Sequence, residues 1–351
     1  MVETLRLPGL EAALWRVEDA LAGATAGEDP FLTEVAGHLV GAGGKRLRPA
    51  LVIAAAQACG LAVDPPDGEV PADSAWDVSE RDPAAEEVVR GGVAVELVHL
   101  GSLYHDDVMD EAQHRRGVQS VNARWGNLVA ILAGDFLLAR ASEIAASLGT
   151  EVAALLARTI SQLCEGEVGQ LRYAFNPDRS EAAYFSSIGG KTASLMATSA
   201  RIGALVARAP RPWIEALTSY GHSVGMTFQI WDDIRDLTSN DGDLGKPAGH
   251  DMTEGTYTLP VLRALSVDGI GQDLRALLGG PLDPPARSKA RDLVLASGAI
   301  ESSLEEARRW AIQADTALDP LRRDGVSGES GEHLQLLGSV CHQLIDEIEI
   351  P

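Results

Sequence analysis

"GGVAVELVHLGSLYHDDVMD", residues 91–110, joins two patterns that pull in opposite directions. Its first part is apolar around most of a helical circumference, which predicts a centrally placed helix from Glu87 to about Val108. Its end carries Asp106, Asp107 and Asp110, and Glu111 follows, so four carboxylates fall within six positions. Arg115 and Arg116 come directly after. Residues four apart share a helix face with Cβ atoms about 5–6 Å apart, so Asp106 and Asp110 point the same way. His99 lies seven positions before Asp106, about two turns back on that face. Tyr104 lies on a different face and reads as packing.

The spacing recurs once. In "QIWDDIRDL", residues 229–237, Asp232, Asp233 and Asp236 repeat D-D-x-x-D near the end of another long apolar helix. One such cluster alone reads most simply as a solvated helix end. Two of them suit a pair of helix ends that face each other across a cavity and hold several Mg2+ ions around a polyanion. Paired carboxylates make a hard oxygen site, which favours Mg2+ over Zn2+. Other metal sites fail the pattern. "DEAQHRRGVQSV" lacks the alternating oxygen ligands of an EF-hand, and no pair of Glu-x-x-His motifs on facing helices supports a di-iron bundle.

The rest of the chain extends the helical pattern. "LEAALWRVEDALAG", a segment from Pro30 to Val40, and "GAGGKRLRPALVIAAAQACG" read as helices, the last preceded by a glycine-rich turn. "GNLVAILAGDFLLARASEIAASLG", "EVAALLARTISQLCEGEVGQLRYAF", "SEAAYFSSIGGKTASLMATSARIGALVAR" and "PWIEALTSYGHSVGMTFQIWDDIRDL" are long and apolar. Shorter helices follow, among them the run from Pro285 to Leu318, read as a single helix. Residues 61–88, rich in Pro and Asp, read as a long loop, and Thr238–Thr256 as a polar loop. No strand pattern stands out. The expectation is one all-α domain over 1–351.

The 351 residues carry 51 acids against 29 bases, a net charge of −22, which excludes a nucleic-acid surface. Three scattered cysteines, Cys59, Cys164 and Cys341, suggest a reducing compartment. The first twenty residues, with Glu3 and Glu11, lack a basic start and an apolar core, so no signal peptide is expected. The longest apolar stretch, Leu51–Val63, is too short to cross a bilayer. A soluble cytoplasmic protein follows as the expectation.

A polyanion site in so acidic a chain needs local cations as well as metal. "GGKRLRP" supplies Lys45, Arg46 and Arg48 at a helix start, where free N–H groups also favour anions. Arg115 and Arg116 offer planar forks suited to phosphate oxygens. "GGKT", residues 189–192, is not a nucleotide loop, because Phe185 stands where a Walker A needs glycine, yet Lys191 and Thr192 remain phosphate contacts in their own right. Lys246 lies in the loop after the second cluster.

Taken in order, "GGKRLRP", "HDDVMD" with "RRG", "GGKT", "FQIWDDIRD" and "GKP" with "TLP" resemble the trans-prenyltransferases, the (E)-isoprenyl diphosphate synthases, over roughly Leu39–Leu265. The resemblance implies an all-α bundle of antiparallel helices around a deep central cavity, and a homodimer. It implies Mg2+-dependent transfer of the prenyl group of an allylic diphosphate to isopentenyl diphosphate. It implies that Asp106, Asp110 and Asp232 bind the metal, with Asp107, Asp233 and Asp236 in support, and that these three ligands and Lys191 are catalytic. Lys45, Arg48, His99 and Arg116 would then hold isopentenyl diphosphate. Arg115, Lys191, Thr192, Gln229 and Lys246 would face the allylic diphosphate. The chain departs from the family in "EGTYTLP", where Thr256 occupies a position that is often lysine.

Product length is read from the residues just before the first cluster. The fifth and fourth positions before Asp106 are Gly101 and Ser102, both small, where short-chain members carry bulky aromatics. A heptaprenyl- or octaprenyl-like product is expected, with geranylgeranyl diphosphate as the rival and Gly101→Phe expected to shorten the chain. A class I terpene cyclase fits less well, since it usually lacks the paired clusters and the "GGKRLRP" site. A non-catalytic synthase subunit fits less well too, since both clusters are intact.

Overall fold

The computed structural model describes residues 7–63, 82–239, 248–326 and 328–348. Lys246 and residues 64–81 of the expected loop lie outside the described residues. The fold is all-α, as the apolar periodicity predicts. The described residues divide into two compact units. The first takes Met1–Ile160, Thr198–Thr218 and Leu318–Leu337; the second takes Ser161–Ala197, Ser219–Ala317 and Gly338–Pro351.

The first unit is built around α4, Pro83–Met109, which packs against α1 (Leu10–Ala24), α3 (Leu47–Ala58) and α6 (Asn127–Ser147). The helix α2 (Pro30–Gly41) also packs on α6, and α5 (Val121–Trp125) is a short turn before it. From Val88 to Leu100, α4 is buried on nearly every face, which explains why its sequence lacks a polar stripe. It begins four residues earlier than periodicity alone suggests. The Asp82 side chain accepts from the Ala84 N–H, and Pro83 occupies the first turn, where its missing N–H does no harm. The loop expected over 61–88 therefore ends at Asp82. The α6 helix leaves Leu128, Ile131 and Leu132 exposed on one side.

Between α4 and α5 the chain makes a two-residue-strand hairpin, pairing His114 with Gln119 and Arg115 with Val118. Alternation over two residues is too short to register in the sequence. Its loop is Arg116-Gly117, with φ of 53° and 77°, the pair of left-handed residues that a tight hairpin turn requires.

Four helices, α7 (Thr150–Leu171), α9 (Ser194–Val206), α10 (Arg211–Thr238) and the last described helix (Glu329–Asp346), contribute residues to both units. In the second unit α8 (Glu181–Ile188) runs into a single π turn, Gly189–Ala193, before α9 begins. The later helices are α11 (His250–Thr253), α12 (Leu259–Ala264), α13 (Ile270–Arg275), α14 (Pro284–Ala296) and α15 (Ala299–Ala317). α11 falls inside the segment expected to be all loop. The helix expected from Pro285 to Leu318 is two helices, because Gly298 turns to φ 74° and the Ser297 hydroxyl oxygen accepts from the Ala299 N–H.

Candidate active site

The first acidic cluster sits at the C-terminal end of α4, and Asp110 is the residue that closes the helix, its N–H donating to Asp106 O at 2.8 Å. Asp232, Asp233 and Asp236 sit in the last two turns of α10. Both placements set carboxylates at the negative end of a helix dipole, where anions are disfavoured.

Within each cluster the residues divide alike. Asp106 is half-buried and Asp110 exposed, whereas Asp107 is fully buried. Asp232 is exposed, whereas Asp233 and Asp236 are buried. Asp107 Oδ1 accepts from Arg115 Nε at 2.6 Å, and Asp107 Oδ2 has no hydrogen-bond partner among the described residues. Burial pushes the Asp107 carboxyl up, with Arg115 opposing. Asp233 is pushed well above the usual carboxylate range by burial and by Asp251, with Tyr184 and Gln229 opposing. Among the described residues no three carboxylate, imidazole or thiol groups converge into a ready-made cation cage.

A basic cluster forms in the first unit. Arg116, held in a left-handed conformation, donates to Leu39 O at 3.3 Å and to Gly43 O, and lies 3.6 Å from Glu96. The glycines of "GGKRLRP" are explained here. Gly43 adopts φ 77°, and a Cβ on Gly44 would come within 2.8 Å of the Arg116 guanidinium. Arg46, 4% exposed, is bound by Glu18, by Glu96 at 2.7 Å and by Val40 O at 3.3 Å. Its charge is consumed inside the protein, so the cation group read from the sequence loses one member. Lys45 is exposed and Arg48 half-buried. Burial pushes the Arg48 guanidinium down to about 10, Glu96 opposing and Arg116 adding. His99, half-buried, is held well below the usual imidazole range by burial, then by Arg48 and Arg116.

Glu96 is the residue the sequence reading missed. It is 1% exposed and ties together Arg46 and Arg116. A signal existed: an acid three positions before His99, alone in an apolar helix, has to be paired.

In the second unit Lys191 pairs with Glu167 at 2.6 Å, and Thr192 Oγ1 donates to Gln229 Oε1 at 2.7 Å. Gln229 Nε2 donates to Asp233 Oδ1 at 2.8 Å. The π turn that carries Lys191 and Thr192 packs tightly on α7. A Cβ on Gly166 would collide with Lys191 N, and one on Gly190 would come 2.7 Å from Gln162 O. Thr256, in the family's lysine position, is half-buried. Gly101 lies in the contact between α4 and α6, where a Cβ would meet Gly134 O and Leu138 Cγ at 3.1 Å. Ser102 is half-buried and donates to His99 O at 2.8 Å.

Comparison with known proteins gives the same reading. The family model for polyprenyl synthetase matches residues 29–289. The chain is 38% identical over 313 residues to heptaprenyl diphosphate synthase component 2 of Geobacillus stearothermophilus, covering 89% of this chain and 91% of that one. It is 38% identical over 307 residues to a nonaprenyl diphosphate synthase of Mycobacterium tuberculosis, covering 87% and 85%. Among solved structures, a geranylgeranyl pyrophosphate synthase from Corynebacterium glutamicum, complexed with calcium and isoprenyl diphosphate, matches with a TM-score of 0.77 and 34% identity over 97% of this chain and 96% of that one. With the motifs in order on an all-α fold and a family model matching most of its length, the chain belongs to the polyprenyl synthetase family and is a prenyltransferase.

Proposed function

We propose that this chain, with Mg2+, condenses an allylic diphosphate with isopentenyl diphosphate and repeats the step to make a long all-trans polyprenyl diphosphate. The observation that carries the reading is the pair of aspartate clusters, each at the helix end whose dipole disfavours it. Asp106, Asp110 and Asp232 are the metal ligands in this proposal. Asp107 and Asp233, buried and held by Arg115 and by Tyr184 with Gln229, brace them, and Asp236 supports the second cluster. Mg2+, when bound, supplies the positive charge that offsets the negative charge developing on the leaving diphosphate.

The chain's own residues divide the two substrates. Lys45, Arg48, His99 and Arg116 hold isopentenyl diphosphate, with His99 neutral and donating through its ring N–H. Arg115, Lys191, Thr192, Gln229 and Lys246 face the allylic diphosphate. The allylic C–O bond breaks and diphosphate leaves with the electron pair. The alkene of isopentenyl diphosphate then attacks the allylic carbon, forming the new C–C bond, and a proton passes to the departed diphosphate. No side chain of this protein is needed as base.

The proposal extends to one synthase domain over 1–351 working as a homodimer in the cytoplasm. The free thiols of Cys59, Cys164 and Cys341 and the exposed apolar side of α6 support that setting. No described helix is long and apolar enough to cross a membrane. A second reading takes support from the name of the Geobacillus relative, a component of its synthase: this chain would then work only with another subunit.

Product analysis by mass spectrometry, with isopentenyl diphosphate, Mg2+ and a panel of allylic primers, tests all of this. The expected result is a heptaprenyl- or octaprenyl-like diphosphate from the purified chain alone. Geranylgeranyl diphosphate as end product would overturn the long-chain reading. Hydrocarbon released from the primer alone would indicate a cyclase, and no turnover with any primer would favour the two-component reading.

A further inference from the structure

Tyr184 belongs to no motif of the family reading, yet it holds the second acidic cluster in place. Its side chain is buried in α8, shortly before the π turn, and its hydroxyl donates to Asp233 Oδ2 at 2.6 Å. The other oxygen of Asp233 accepts from Gln229 Nε2 at 2.8 Å, and Gln229 Oε1 in turn accepts from Thr192 Oγ1 at 2.7 Å. Each link dictates the next. The Asp233 oxygen needs a donor, so the Gln229 amide must point its nitrogen there and its oxygen at Thr192. The Tyr184 ring is braced from the other side by Arg179, whose guanidinium lies 5.6 Å from the ring centroid and donates to Tyr257 O at 3.2 Å. Arg179 is 5% exposed, so the brace is internal.

We propose that Tyr184 is a positioning residue for the allylic-diphosphate side of the site, acting through Asp233 to fix the Gln229 amide and the Thr192 hydroxyl. The inference rests on the function proposed above and adds two assignments to it. Asp233 is an anchor whose two oxygens both accept from side chains of this network, and the orientation of Thr192 and Gln229 is set from α8. Removing the hydroxyl leaves a buried acceptor without its donor and frees the Gln229 amide to turn.

Tyr184→Phe keeps the ring and its packing and deletes the donor alone. With farnesyl diphosphate as primer, the expected result is a KM for the primer raised about tenfold, the size of one lost hydrogen bond. The KM for isopentenyl diphosphate should stay within about twofold, because its proposed contacts come from Lys45, α3, α4 and the hairpin. Unchanged KM for farnesyl diphosphate, or a fall in Tm with both KM values moving together, overturns the proposal. If Tyr184→Phe does not fold, Asp233→Asn decides. Asn still accepts from Tyr184 but not from Gln229, and it should show the same one-sided rise in KM. Asp232→Asn separates this inference from the reading beneath it. Turnover lost there while Tyr184→Phe and Asp233→Asn keep the wild-type KM for farnesyl diphosphate sinks the relay alone. Turnover retained in Asp232→Asn sinks the site reading and the relay with it.

Discussion

At the scale of the residue, the basic cluster is governed by burial as much as by charge. Arg46, Arg48 and Arg116 gather around one buried carboxylate, Glu96, and His99 feels the positive charge of these guanidiniums. The imbalance shows on His99. Its folded-state pKa lies well below the ordinary value, so the unfolded chain binds a proton there that the folded chain refuses. The stability this site contributes is present above the unfolded pKa, about 6.5, and is lost as pH falls below it toward the folded value. Thermal unfolding followed from pH 7.5 to 5.5 should therefore show a falling Tm that is shallower in His99→Gln. Parallel curves for the two proteins would mean that His99 carries no such penalty. The sequence named Arg48 and Arg116 through their motifs, and His99 through its alignment with the acidic face of α4. It counted Arg46 among the local cations and passed over Glu96, because which guanidinium meets which carboxylate depends on α1 and α4 coming together through Glu18 and Glu96, far apart in the chain.

At the scale of the element, the glycines decide where helices touch, and they change how product length should be tested. Gly101 was read as an open floor, but a side chain there points at Gly134 and Leu138 of α6. Gly101→Phe would force α4 and α6 apart, an overpacking that costs about 1–3 kcal/mol or more, and any effect on the product would be confounded with that damage. Ser102, half-buried and one position closer to the cluster, is the cleaner site. Ser102→Phe should retain turnover and shift the product to fewer isoprene units by mass spectrometry; an unchanged product would remove this position from the length-setting wall. The long helices were legible as extended runs of helical spacing, whereas the short helix α11 and the hairpin after α4 were not. Three further features also escaped. The start of α4 rests on a single Asp-Pro pair, the break at Gly298 on one left-handed residue, and the π turn at Gly189–Ala193 on a close approach of α7 through Gly166. Each depends on one backbone position or on a contact from outside the segment, and helical periodicity reports neither.

At the scale of the whole molecule, charge and apolar surface oppose each other. The chain carries a net charge of −22, which makes two copies repel at long range. Yet α6 exposes Leu128, Ile131 and Leu132 at 71%, 40% and 56% of their surface, three large apolar side chains within two turns. Burying one such side chain is worth about 1.5–3 kcal/mol, enough for a few together to hold a dimer against screened repulsion. The proposed homodimer should therefore sediment at twice the 37.0 kDa of one chain and tighten as salt rises from low to physiological strength. Salt screens the acids and leaves the apolar contact intact. Leu128→Glu combined with Leu132→Glu should give a folded species of one chain's mass, shown by sedimentation velocity beside an unchanged circular dichroism spectrum. Were the wild type already a single chain at micromolar concentration and low activity, the exposed side of α6 would instead be the place to look for the second subunit of a two-component synthase.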